Sequence, residues 1–170
     1  MRDKIENISF LSPLCSGGGK GGAGSCQQAV NVGREIHEGL NVTVRSTAVR
    51  RTTLVANYSY LNRSITGTPG IFPYGTPRQK TVGTATVRLP GGVLGILAGR
   101  YESGEVGMSD NGLPLPVSKF ATFDLGAAAP IRAGMSLQAG VKNLFDRNYY
   151  YWEGFPEEGR NWYFTLRYKF

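Results

Sequence analysis

The chain has 170 residues, 41% hydrophobic and 11% aromatic but only 18% charged, with 24 glycines, a formal net charge of +7 and a pI near 9.6. That length suffices for one domain with a core, and the charged fraction lies below the roughly 25% of ordinary globular domains. No apolar run approaches the ~18 residues of a membrane helix, no apolar stretch follows Met1–Glu6 as in a signal peptide, and the scattered Arg and Lys form no basic patch or nucleic-acid motif.

Alternation with a period of two predicts about eight strands. The first is a short stub, Lys4–Leu11. Next, Leu40, Val42 and Val44 oppose Asn41, Thr43 and Arg45, and then Leu54, Ala56, Tyr58 and Tyr60 oppose Val55, Asn57 and Ser59. Gln79–Leu89 alternates weakly, and Val93–Tyr101 is apolar on both faces. Phe123, Leu125, Ala127 and Ala129 then oppose Thr122, Asp124, Gly126 and Ala128. Met135, Leu137, Ala139 and Val141 oppose Ser136, Gln138, Gly140 and Lys142. The last strand is the clearest: Trp162, Phe164, Leu166, Tyr168 and Phe170 form one face, and Tyr163, Thr165, Arg167 and Lys169 the other.

Alternation alone fits a soluble sandwich or a small ligand-binding barrel equally well. The connections discriminate. Short turns near Ala48–Arg51, Leu89–Gly92 and Pro130–Ala133 alternate strictly with long segments at Ser12–Cys26, Ile65–Pro77, Ser103–Ser118 and Asp146–Gly159. Outer-membrane barrels have short periplasmic turns and long extracellular loops, and their strands need ~9–11 residues to cross a bilayer. The expected fold is therefore all-β, with antiparallel up-and-down transmembrane barrel strands and the short turns in the periplasm. Tyr149, Tyr150, Tyr151, Trp152 and Trp162 are expected at the outer membrane boundary, and Tyr168 and Phe170 at the inner one.

The most specific stretch is Val141-Lys142-Asn143-Leu144-Phe145-Asp146-Arg147-Asn148-Tyr149, followed by Glu158-Gly159-Arg160 and then Trp162–Phe170. It resembles the C-terminal signature of TonB-dependent receptors. Upstream, Asn31-Val32-Gly33 with Glu38-Gly39 resembles that family's Asn-Val-Gly strand. Pro77-Arg78-Gln79-Lys80 resembles its Pro-Arg-His-Lys strand start, with Gln79 in place of His, and Asp124-Leu125 sits where the family often has Asp.

The resemblance implies that residues 1–170 are a C-terminal fragment of a barrel of about 22 strands in the outer membrane of a Gram-negative bacterium, without plug domain or signal peptide. It also implies a receptor, not an enzyme, that imports an iron–siderophore or similar metal complex with energy from the TonB complex, which engages an N-terminal region outside this sequence. Phe164, Leu166, Tyr168 and Phe170 resemble the signal read by the barrel-assembly machinery. Outer-membrane lipid is a further expected partner; no cofactor and no nucleic acid is. Asn143, Leu144, Phe145, Asp146, Gly159 and Arg160 are read as structural, because strand ends near a long loop favour turn-forming and polar groups. An alternative of another class is a self-contained eight-strand barrel acting as a passive pore or anchor. A third is a soluble β-sheet binding module.

Other chemistry is sparse. Cys15 and Cys26 bracket a Gly-rich segment and suit a disulfide in an oxidising extracellular loop, which would stabilise that loop by roughly 2–3 kcal/mol. A metal pair is the rival, but His37 is the only histidine. Gly17–Lys20 does not have phosphate-loop spacing, and no nucleophile or carboxylate couple accompanies His37. Arg45, Lys142, Arg167 and Lys169 fall on the polar face as candidate lumen-facing cations, suited either to anionic ferric complexes or to acids of a plug.

Overall fold

A computed structural model of the chain describes residues 2–6, 9–12, 28–31, 34–66, 73–108, 113–132, 134–152 and 154–169. The chain falls into two compact units, Met1–Gly39 with Asn62–Pro73 and Leu40–Leu61 with Tyr74–Phe170. The strands are β1 (Arg2–Glu6), β2 (Ser9–Ser12), β3 (Gln28–Asn31), β4 (Arg34–Ser46), β5 (Thr52–Thr66), β6 (Gln79–Arg88) and β7 (Leu94–Glu102). They continue with β8 (Glu105–Met108), β9 (Pro114–Val117), β10 (Phe120–Arg132), β11 (Met135–Lys142), β12 (Tyr150–Trp152), β13 (Phe155–Pro156) and β14 (Asn161–Tyr168).

In the larger unit seven strands form one sheet in the order β4-β5-β6-β7-β10-β11-β14. Each strand pairs with its neighbour in the chain once the small hairpins of the long connections are set aside, which is an up-and-down meander. Residues 47–51 join β4 to β5, and a 3-10 turn at Pro90–Gly92 serves β6 and β7. Gly134, at φ 77°, closes the β10–β11 turn, where a Cβ would fall 2.6 Å from the carbonyl oxygen of Lys169. Only glycine fits both demands. In the smaller unit β1 pairs antiparallel with the start of β4, Arg2 opposite Glu38 and Glu6 opposite Arg34, and β2 pairs with β3.

Three features differ from the sequence reading. The expected stub Lys4–Leu11 is divided between β1 and β2, which pair with different strands. The long connections carry hairpins of their own, β8–β9 and β12–β13. Pro114, Pro116 and Pro156 lie in them, and proline argues against a strand when only the sequence is read. Finally β10 runs through the expected turn to Arg132, with a register shift between Pro130 and Arg132. A residue without an N–H is tolerated where the ladder is already broken by a bulge.

The register sorts the side chains into two faces. Leu54, Ala85, Leu97, Leu125, Val141 and Trp162 stand directly opposite one another across six strands. Their face is greasy and, apart from the buried Val141, largely uncovered: Leu97 is 45%, Leu125 48%, Leu166 61% and Phe164 75% exposed. Among the described residues the buried hydrophobics are only Val117, Phe120 and Val141. A soluble sheet would bury such a face to obtain its core, and a large exposed apolar surface marks contact with lipid or another partner. Among the described residues the sheet offers the soluble-module alternative almost no buried core.

The other face is polar. One of its rows is Thr53, Thr86, Ile96, Gly126, Gly140 and Tyr163. Tyr163 lies across the two glycines, and a Cβ on Gly126 or Gly140 would come within 2.7 or 2.6 Å of its hydroxyl. The glycines thus make room for one large amphipathic ring.

Candidate functional site at the long-loop end

At the long-loop end of the polar face, strand alternation places Arg100 and Glu102 on one side of β7. Glu102 stands opposite Lys80 of β6 and Phe120 of β10. Glu102 is 5% exposed, and a buried carboxylate needs partners. Arg100 donates to Glu102 Oε1 from Nη2 at 2.6 Å and from Nε at 3.0 Å, and Lys80 Nζ lies 3.2 Å from the same oxygen.

The last long connection folds back over this group. The Arg100 guanidinium lies 4.7 Å from the Tyr151 ring centroid, a cation–π distance. Phe120 packs against Tyr149 at 4.4 Å and against Tyr151 at 5.4 Å, and the two tyrosines meet edge to face at 5.5 Å. The expectation of a boundary belt therefore fails for Tyr149 and Tyr151. Their rings pack instead on Phe120 and, for Tyr151, over the Arg100 guanidinium of the polar face. Burial pushes the Tyr151 hydroxyl up to about 12, although the Arg100 charge opposes it. Burial also raises Tyr149, against the hydrogen bond from Tyr151. Glu105, on the β8–β9 hairpin, is raised by burial and then by the charge of Glu102. Its Oε2 is enclosed without a hydrogen-bond partner among the described residues.

Two cavities flank this cluster. One of about 410 Å³ is lined by Arg100, Asp124, Lys142, Tyr149, Tyr151 and Glu158, among others. The second, about 330 Å³, is lined by Ser59, Lys80, Arg100, Glu102, Glu105 and Tyr151, among others. Both mix cations, carboxylates and phenols, a lining for a polar solute with hydrogen-bonding and aromatic parts. No cluster of three or more His, Cys, Asp or Glu suited to a metal ion occurs among the described residues.

The sequence-selected residues occupy distinct places. Asn143 is 4% exposed and adopts φ 48° just after β11. Its N–H donates to Asp124 Oδ1 at 2.8 Å, its Nδ2 to the Arg147 carbonyl at 2.8 Å, and its Oδ1 accepts from Arg147 N–H at 2.8 Å. Leu144 N–H donates to the Phe123 carbonyl at 2.7 Å. Asp146, at φ 53°, accepts from Arg160 N–H at 2.7 Å, and a Cβ on Gly159 would fall 2.7 Å from the same Oδ1. Phe145 stands 72% exposed beside Phe123 at 5.7 Å, so it belongs to the apolar face.

Phe164, Leu166 and Tyr168 share the exposed apolar face of β14; Phe170 lies outside the described residues, as do Cys15 and Cys26. Lys142 borders the larger cavity opposite Asn161. Arg167 and Lys169 are exposed at the opposite end of the sheet, and Arg167 faces Ser136. Arg45 is also exposed, on the side where Asn57 Nδ2 donates to Thr43 Oγ1 at 2.8 Å. Lys142 thus lies apart from the other three, which share the short-turn end but come from β4 and the end of β14, strands that are not neighbours in the sheet. Arg100, Glu102 and Phe120 were not singled out in the sequence. The available signal was Arg-x-Glu at the loop end of a predicted strand, two charges on one face where alternation elsewhere is apolar.

The family model "TonB dependent receptor-like, beta-barrel" matches residues 2–144. No curated protein matches in sequence. Among solved structures, the pyoverdine outer membrane receptor FpvA from Pseudomonas aeruginosa is 15% identical with a TM-score of 0.77, over 99% of this chain and 26% of that one. The siderophore receptor PiuA from Acinetobacter baumannii is 17% identical with a TM-score of 0.74, over 99% and 25%. The ferric-catecholate import receptor Fiu from E. coli is 17% identical with a TM-score of 0.72, over 99% and 24%. The chain spans about a quarter of the length of these structures.

Proposed function

Because the chain belongs to the β-barrels of the TonB-dependent receptors, outer-membrane receptors of Gram-negative bacteria and not enzymes, we propose that it is the C-terminal part of such a barrel and that the complete receptor imports an iron–siderophore or similar metal complex with TonB-coupled energy. The carrying observation is the two-faced meander, with its exposed apolar rows and an ion-paired, aromatic cluster at the long-loop end of its polar face. One face suits hydrocarbon and the other an enclosed wet interior.

Siderophore complexes are anionic or polar solutes with aromatic or hydroxamate groups, and the lining of the larger cavity offers cations and phenols to such a solute. The similar structures are a pyoverdine receptor, a siderophore receptor and a ferric-catecholate import receptor, which supports the same substrate class. The seven strands of the larger unit's sheet would form about a third of a circumference of about 22. An open sheet in lipid would leave backbone groups unpaired at several kcal/mol each, so closure by further strands is part of the proposal. The TonB complex would act through a region N-terminal to this segment, and the alternating aromatics of β14 would be read by the barrel-assembly machinery.

The test is uptake of radiolabelled ferric siderophores by cells producing the complete receptor. Accumulation that stops when the proton-motive force is collapsed supports the reading. Passive equilibration insensitive to uncoupler would favour a pore and refute it.

A further inference from the structure

Among the described residues, the short-turn end of the larger unit carries cations and no acidic side chain. Arg45, Arg50 and Arg51 lie at or near the β4–β5 turn, and Arg88 closes β6. Arg132 ends β10, while Arg167 and Lys169 lie at the end of β14. All seven are exposed. Their number equals the net charge of +7, so the cations and acids of the remaining sequence cancel. Among the described residues, the ion pairs of this unit lie at the other end, where Lys80 and Arg100 meet Glu102.

Exposed apolar side chains stand beside these cations. Val49 precedes Arg50 and is 58% exposed, Leu89 follows Arg88 at 48%, and Ile131 precedes Arg132 at 53%. Register separates the cations by face. Arg88 stands opposite Leu94 and Arg167 opposite Ser136, positions on the polar side, whereas Arg132 stands opposite Met135 and shares the apolar side with Tyr168. Arg50 and Arg51 occupy the turn itself.

We propose that Arg50, Arg51 and Arg132 form a rim that holds the anionic phospholipid headgroups of the periplasmic leaflet. The proposal rests on the short turns facing the periplasm. A basic residue with a greasy neighbour matches the boundary between headgroup and acyl chain: the apolar group enters the edge of the hydrocarbon while the cation reaches the phosphates. A free anion would satisfy the charge but would leave Val49 and Ile131 in water. The rim is also continuous with the exposed apolar face of the sheet through Leu137, Leu166 and Tyr168.

The outer-membrane protein that carries this segment is purified in detergent and titrated with phosphatidylglycerol or phosphatidylcholine of the same chains, with retained lipid counted by native mass spectrometry. Phosphatidylglycerol is expected to be retained about tenfold better. R50Q/R51Q/R132Q is expected to bring it to the phosphatidylcholine level. R45Q/R88Q/R167Q removes the same charge from the same end and is expected to leave retention unchanged. Equal retention of the two lipids, as expected if an acidic periplasmic protein is the partner, overturns the proposal. So does an equal loss in both triple variants, which would reduce the effect to net charge, or displacement of the lipid by inorganic phosphate. None of these readouts depends on transport, so failure here is distinguishable from failure of the receptor reading.

Discussion

Asn143 shows how much one side chain can hold. It combines a left-handed backbone, tolerated best by Gly and Asn, with side-chain bonds that bind the turn after β11 to Arg147 and to the Glu158 carbonyl. Asn143→Ala should destabilise the protein by about 2–4 kcal/mol, because buried partners lose their bonds and alanine resists this backbone. The loss is read as a lower urea midpoint. Glu105 makes a second prediction. Burial and the neighbouring Glu102 raise its folded-state pKa above the ordinary 4.5. Its contribution to hairpin stability is therefore complete below the unfolded value and is lost as pH rises through the raised one. Proteolysis within the β8–β9 hairpin should accelerate from acid toward neutral pH, and Glu105→Gln should flatten that rise. An unchanged pH profile in the variant would remove Glu105 from the account.

Elements bring out the packing logic of the polar face. A methyl group on Gly126 would collide mainly with the Tyr163 hydroxyl at 2.7 Å, whereas one on Gly140 would also meet the Leu125 carbonyl at 2.7 Å. Gly126→Ala should therefore cost about 1–3 kcal/mol and be largely rescued by Tyr163→Phe, which deletes the obstructing oxygen. Gly140→Ala should not be rescued, because backbone stands in its way. Chemical denaturation of the two single and two double variants decides the matter. Such pairings explain what the sequence could show. Period-two alternation was enough to find β4, β5, β10, β11 and β14, since each presents one greasy side. The same rule was silent for β8, β9, β12 and β13, whose prolines and short lengths read as loop. It was silent too for Arg100 and Glu102, whose importance comes from Lys80, Phe120 and Tyr151, brought from three other parts of the chain.

For the molecule as a whole, the distribution of exposed apolar area is the defining property. Leu125 lies near the middle of β10 on the greasy face, and Ala128 on the opposite side of the same strand. Leu125→Arg should destabilise the membrane-inserted protein by about 2–4 kcal/mol, as for a charge near a bilayer midplane. Ala128→Arg should be far milder, because its neighbour on β11 is Gln138. The asymmetry was legible in the sequence from connection lengths and alternation, while the sorting of particular cations between polar face, turn and apolar face needed the register.

The most direct test is a pair of nitroxide labels on adjacent residues, Leu137→Cys and Gln138→Cys, in the membrane-inserted protein. The label at position 137 should be relaxed by oxygen dissolved in lipid and shielded from a water-soluble nickel complex, with the reverse at position 138. Equal accessibility of both labels to the nickel complex, or the opposite assignment, would contradict the two-faced sheet on which the receptor account stands.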